Sequence, residues 1–274
     1  QLLGISPALS HHAVTAVFYC FGPVALFGMA YRLSGQRSYS FAAALVFSVL
    51  SPSAFLATAV RTSAGGVWAA RRLQTLVEWG EGPHITSITL LPLAILGLHW
   101  ALTRRRLLPA YLAAAGLAAV VLANWLGAAA LAMAAVAYLL SDLSRPGWKT
   151  WRDAVGIGLL AYVLAGPWIP PTTLVAIRTN AQKIGGDYSI GLQHLLYLLL
   201  LVAAVWGLRG LLVRWRVSGF LQFSLLFCLL TAAVTLCAEW FEIWLLPQPQ
   251  RYHLEMEMAL CLAGVFALRP LLQR

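Results

Sequence analysis

Apolar stretches about as long as a bilayer is thick recur along this chain, and that recurrence constrains its fold more than any other feature. A helix crossing the hydrocarbon core needs about 20 mostly apolar residues. Nine segments meet or approach that length: 12–31, 39–60, 85–102, 107–123, 125–140, 154–170, 191–208, 219–238 and 254–268. Composition agrees, because 61% of the 274 residues are hydrophobic and only 10% are charged, against about 25% charged in a soluble domain. Nine acidic residues cannot clothe a soluble surface of this size. The expected fold is all-α: a polytopic integral membrane helix bundle of about nine transmembrane helices, with residues 1–274 forming a single membrane domain. A secreted disulfide scaffold, a cytosolic enzyme and a disordered regulator are excluded. The fourth and fifth segments are separated by little more than Asn124-Trp125, which leaves a tight hairpin of short helices or one bent segment.

The net charge of +10 is explained by topology before nucleic acid, because cytoplasmic loops of membrane proteins collect Lys and Arg. With Gln1 placed outside, alternating loops put 13 basic residues inside, among them Arg104, Arg105, Arg106, Arg145, Arg152 and Arg209. Six fall outside: Arg61, Arg71, Arg72, Arg178, Lys183 and Arg251. The N-terminus of this chain is therefore expected outside and the C-terminus in the cytoplasm, with no nucleic-acid partner. The acidic residues divide the other way. Asp142 and Asp153 lie inside, whereas Glu78, Glu81, Asp187, Glu239, Glu242, Glu255 and Glu257 gather at the outer side. Acidic residues contribute little to topology, so this clustering points to a site on the extracytoplasmic face. The chain starts at Gln1, and an odd number of spans beginning outside leads us to expect a missing first helix and most of a first outer loop.

Two polar clusters could carry chemistry. The first is Glu78-Trp79-Gly80-Glu81-Gly82-Pro83-His84, whose glycines and proline favour turns over a regular helix. A carboxylate beside a histidine suits general-base work, which makes Glu81, His84 and Glu78 the catalytic candidates; the alternative is an ordinary interfacial loop with its charges in water. The second cluster, from Pro247 to Met258, opens the last apolar run. Arg251 and Glu255 are four residues apart, as are His253 and Glu257, so each pair could meet on a helix face. Carboxylates at the mouth of a membrane helix are costly unless paired, hydrated or functional. Arg251, with its planar fork, matches a phosphate, and Tyr252, His253, Glu255 and Glu239 stand beside it as candidate substrate-binding residues.

Other features are less specific. Asn180, Asp187 and Tyr188 could hydrogen-bond a sugar, and Asp187 joins the substrate-binding candidates. No His-Glu-x-x-His or similar spacing supports a metal site, although carboxylates and histidines leave a divalent metal open as cofactor. The cysteines Cys20, Cys228, Cys237 and Cys261 fall inside apolar runs with no ligand spacing, as small hydrophobes do. Pro52 and Pro92 lie within the second and third segments, where membrane helices tolerate a kink.

With its polytopic pattern, acidic outer loops, the Gly-Glu-Gly-Pro-His stretch at 80–84 and the Pro-Gln-Arg-Tyr-His stretch at 249–253, the chain resembles bacterial membrane proteins of the GT-C glycosyltransferase type. It looks most like the group known as 6-pyruvoyl-tetrahydropterin-synthase-related membrane proteins. The resemblance covers most of the chain as general architecture plus two short motifs. It implies an inner (plasma) membrane location, a polyprenyl-phosphate-sugar donor, and transfer to a lipid, glycan or protein acceptor. In that family an essential acidic residue sits in the first outer loop, which would precede Gln1. Glu78, Glu81 and His84 then become candidates for acceptor activation or donor contacts, and Arg251 for the lipid phosphate.

Two other classes compete with this reading. A transporter or flippase for a lipid-linked or small anionic solute would place ionisable residues and broken helices near mid-membrane, often with inverted repeats; here the charges gather at one surface and no repeat is visible. A non-catalytic scaffold subunit would need no converging side chains. Whether Glu81 and Arg251 face one cavity separates the enzyme from both.

Overall fold

The computed structural model describes residues 6–145, 147–180 and 191–272, and every regular element among them is helical. In chain order these are α1 (Pro7–Ser34), α2 (Arg37–Val49), α3 (Thr58–Ala64), α4 (Arg71–Val77), α5 (Gly82–Arg104), α6 (Leu107–Ala123), α7 (Gly127–Leu140), α8 (Trp148–Ala165), α9 (Pro171–Asn180), α10 (Leu192–Arg214), α11 (Gly219–Phe241) and α12 (His253–Leu272). Short 3₁₀ turns at Pro52–Phe55 and Pro249–Tyr252 precede α3 and α12. By length and composition α1, α5, α10 and α11 can each cross a membrane, as an integral membrane protein requires. α6 and α7 are apolar but shorter. They are two separate helices, joined by a turn in which the Asn124 side chain accepts from the Leu126 N–H, so the hairpin holds and the bent segment does not.

Local sequence sets the boundaries. Ser6 accepts from the Leu9 N–H and Pro7 opens α1, where a missing N–H costs nothing. Gly35 closes α1 in the left-handed region, its N–H donating to Tyr31 O. α5 and α6 approach closely through small residues: Gly97 faces the Ala113 backbone and Gly116 faces that of Ala94, the means by which membrane helices bring their backbones together. α5 also packs along α1, and α11 along α12, where the Phe220 and Phe266 rings lie 4.5 Å apart.

The second apolar segment departs from the expectation of one span over 39–60. α2 ends at Val49, because Pro52 disfavours helical backbone in the residue before it, and Leu50 and Ser51 are extended or nearly so. Pro52 is thus a break, not a kink, whereas Pro92 stays inside an uninterrupted α5. The chain then folds back over the end of the bundle through α3 and α4. The Ser51 N–H donates to Val67 O, Ser51 Oγ donates to Ala69 O and accepts from the Arg71 N–H. Irregular backbone among apolar helices is tolerated where protein supplies these partners.

Candidate functional site

The folded-back segment 50–81, the start of α5 and the Pro249–Tyr252 turn enclose a cavity of about 640 Å³, within the size range of small-molecule sites. Arg71, Trp79, Glu81, His84, Arg251 and His253 supply most of its polar lining. Glu81 and Arg251 therefore do face one cavity, and they form an ion pair at 3.1 Å. Deeper in, His84 Nε2 meets Glu255 Oε1 at 2.9 Å, with both residues at most 2% exposed.

These pairings differ from the helix-face pairs the spacing suggests. Residues 249–252 form a 3₁₀ turn and α12 starts only at His253, so Arg251 lies outside the α-helical register that would bring it to Glu255. Glu255 instead reaches across to α5. Glu257 accepts from Ser53 Oγ at 2.5 Å and is 1% exposed. The Gly-Pro loop expectation is corrected as well. Gly80 turns the chain in the left-handed region, but Gly82-Pro83 opens α5, with Pro83 at its first turn. That places His84 on a helix, buried, while Glu81 just precedes it.

The other expected site residues divide. Glu78 is exposed and accepts from Gln74 Nε2 at 2.9 Å outside the cavity wall. Glu239 accepts from the Ala59 N–H at 3.0 Å and so ties α11 to the start of α3. Tyr252 is buried in the apolar core and does not line the cavity. His253 does, and neither of its ring nitrogens has a hydrogen-bond partner among the described residues. Asp187 lies outside the described residues. Among those residues no three His, Cys, Asp or Glu side chains gather as a metal site, and the four cysteines are free.

Sequence reasoning missed Arg71 and Arg72, which open α4 and are nearly buried. Arg71 Nη1 donates to Ser63 Oγ at 2.6 Å and Gln74 Oε1 at 2.5 Å, and its guanidinium lies 4.3 Å from the Trp79 ring centre. Burial lowers its pKa against the attraction of Glu257 and Glu78. Arg72 turns the other way, donating to Tyr19 O at 2.7 Å between the Tyr19 and Phe47 rings. Burial pulls it down to about 10, which leaves it charged at neutral pH. A signal existed: both stand in the minority set of basic residues on the expected outer side, against the topological rule.

Comparison with known proteins returns nothing similar: no family model matches the chain, no curated protein matches it, and no solved structure matches its fold.

Chemically, the arrangement offers a histidine held by a carboxylate, a cation that forms no ion pair among the described residues, and buried acceptors at Gln248 Oε1, Glu255 Oε2 and Glu257 Oε2 without a hydrogen-bond partner among those residues. An acceptor buried without a donor costs about 1–3 kcal/mol. Of the cation and the acceptors, Arg71 and Gln248 line the cavity, where an anionic group and a hydroxyl of a ligand would meet them.

Proposed function

We propose that this chain is a membrane glycosyltransferase of the GT-C type, moving a sugar from a polyprenyl-phosphate donor to a lipid, glycan or protein acceptor. The cavity end would face the extracytoplasmic side of the inner membrane, with about nine helices crossing it. One observation carries the reading: His84 and Glu255, 171 residues apart, meet at 2.9 Å against a cavity that also holds cationic side chains. In a bilayer protein a buried ionisable pair is costly and points to function.

The chemistry is a displacement at the anomeric carbon. His84, with Glu255 fixing its ring through Nε2, takes the acceptor hydroxyl proton as that oxygen attacks; a carboxylate behind a histidine sets its tautomer and orientation. The bond from the anomeric carbon to the phosphate oxygen breaks, and the lipid phosphate leaves with the electron pair, its charge met by the positive wall of the cavity. Sugar transfer from a polyprenyl-phosphate-sugar in nanodiscs is the test. His84→Asn is expected to lower transfer by about 10²–10⁴-fold while donor binding persists. Equal transfer by the variant and the native chain would overturn the assignment.

A second reading, transport of a lipid-linked or small anionic solute, draws on the interruption of the second apolar segment at 50–57 beside buried Glu257, since transporters build sites on broken helices. Counterflow of donor across proteoliposomes with no sugar transfer would favour it.

A further inference from the structure

We propose that Arg71, not Arg251, is the seat for a phosphate ester in this cavity, and that the Glu81–Arg251 pair is a neutral strap across its mouth. The proposal rests on the glycosyltransferase reading only for the identity of the phosphate's bearer. Of the charged lining residues, Glu81 and Arg251 cancel each other at 3.1 Å. The positive charge left over is that of Arg71, which forms no ion pair among the described residues.

The hydrogen-bond and ring partners of Arg71 are all neutral, and the carboxylates of Glu257 and Glu78 attract it without coming to ion-pair distance. Ser63 and Gln74 take Nη1, Ser51 Oγ takes the backbone N–H, and Trp79 lies against the guanidinium. No other hydrogen bond of this guanidinium is made among the described residues, so its Nε–Nη2 edge has no protein partner there, and Arg71 lines the cavity. That edge presents two parallel N–H donors, the geometry that grips two phosphate oxygens at once. The side chain is already oriented by three contacts, so little conformational entropy is lost on binding. Arg251 is different. It is nearly half exposed and would have to leave Glu81 before meeting an anion. The strap joins the start of α5 to the turn before α12 and holds closed the two segments that bound the entrance.

The experiment uses the full chain in nanodiscs, with labelled polyprenyl phosphate as the lipid-borne probe and inorganic phosphate as the soluble one. Arg71→Gln is expected to weaken binding ten- to hundredfold, as loss of a bidentate charged contact does. Arg251→Ala, at a half-exposed position, is expected to stay within threefold of the native affinity and to bind and release the lipid faster. Should Arg71→Gln fail to fold, Arg251→Ala decides alone: loss of lipid-phosphate binding there overturns the proposal while leaving the enzyme reading intact. Arg71-dependent binding of inorganic phosphate without binding of the lipid keeps the seat and removes the polyprenyl donor. Binding of neither probe by the native chain ends both.

Discussion

The two ends of the bundle hold their charges in opposite ways. At the cavity end, His84, His253, Glu255, Glu257, Arg71 and Arg72 are each at most 5% exposed. Three of the contacts that hold them come from far along the chain: Glu255 meets His84, Glu257 meets Ser53, and Arg72 reaches Tyr19 O. At the other end Arg152 pairs with its chain neighbour Asp153, Arg105 approaches the same carboxylate at 3.8 Å, and both arginines are largely open to solvent. Exposed pairs of that kind contribute about 0–1 kcal/mol, so such charges can be placed almost anywhere that topology allows. Buried groups must be matched atom by atom. The contrast separates charge that sets orientation from charge that the fold has been built around.

The sharpest way to break this comparison is to remove a buried partner. Glu255→Ala takes from His84 the one side-chain hydrogen bond it makes among the described residues, and the expected loss is about 3 kcal/mol, where the ranges for an orphaned polar group and a broken buried pair meet. Denaturant titration of the detergent-solubilised chain reads it. A loss below about 0.5 kcal/mol, the level of an ordinary surface change, would mean the pair is no more tightly held than a surface one. Ser53→Ala is the next step down. It takes the Ser53 hydroxyl donor from Glu257 Oε1, while Oε2 has no hydrogen-bond partner among the described residues, for an expected cost of about 1–2 kcal/mol. An unchanged midpoint would show that the fold-back segment is not anchored through this carboxylate.

A steric version of the comparison lies within α1. A methyl group on Gly22 would run into the Arg72 guanidinium and come within 2.9 Å of Thr89 Oγ1, whereas one on Gly28 meets nothing within 4 Å. Gly22→Ala is expected to cost about 1 kcal/mol, the low end for overpacking because a side chain can give way. Gly28→Ala is expected to stabilise by a few tenths of a kcal/mol, since alanine is the better helix former. The difference between the two melting midpoints is the measurement. Equal shifts would mean that Arg72 is not fixed at the α1 surface.

Much of this was legible from the sequence, within limits that have a physical basis. Hydropathy gave the membrane class and located most helices, because burial in lipid acts on every residue of a span. It did not tell which helix lies inside: α10 and α5 each have 23 residues and similar hydropathy, 2.2 against 1.8, yet 11% of the α10 window is buried and 61% of that of α5. Lipid and protein interior are equally apolar, so hydropathy alone cannot separate them. The two clusters at 78–84 and 247–258 do converge on one cavity. The particular pairs within them were not legible, because spacing along a helix describes neighbours three or four residues apart, and the partners that meet here are 171 and 204 residues apart. Arg71 was hidden among basic residues read as topology.

The smallest effect tests the other half of the comparison. Arg152 makes two hydrogen bonds to Asp153 Oδ1, at 3.2 and 3.0 Å, with its side chain 65% exposed. On distances alone this looks as good as the buried contacts. Water and salt nonetheless compete for both groups, and fixing a long side chain costs rotamer entropy that offsets the attraction. Arg152→Ala is therefore expected to change stability by less than about 0.5 kcal/mol, with no dependence on added salt beyond that of the native chain. The same titration used for Glu255→Ala supplies the number. A loss above about 1 kcal/mol would show that this end, too, holds charge against a low-dielectric surface, and the distinction between the two ends would then rest on the cavity alone.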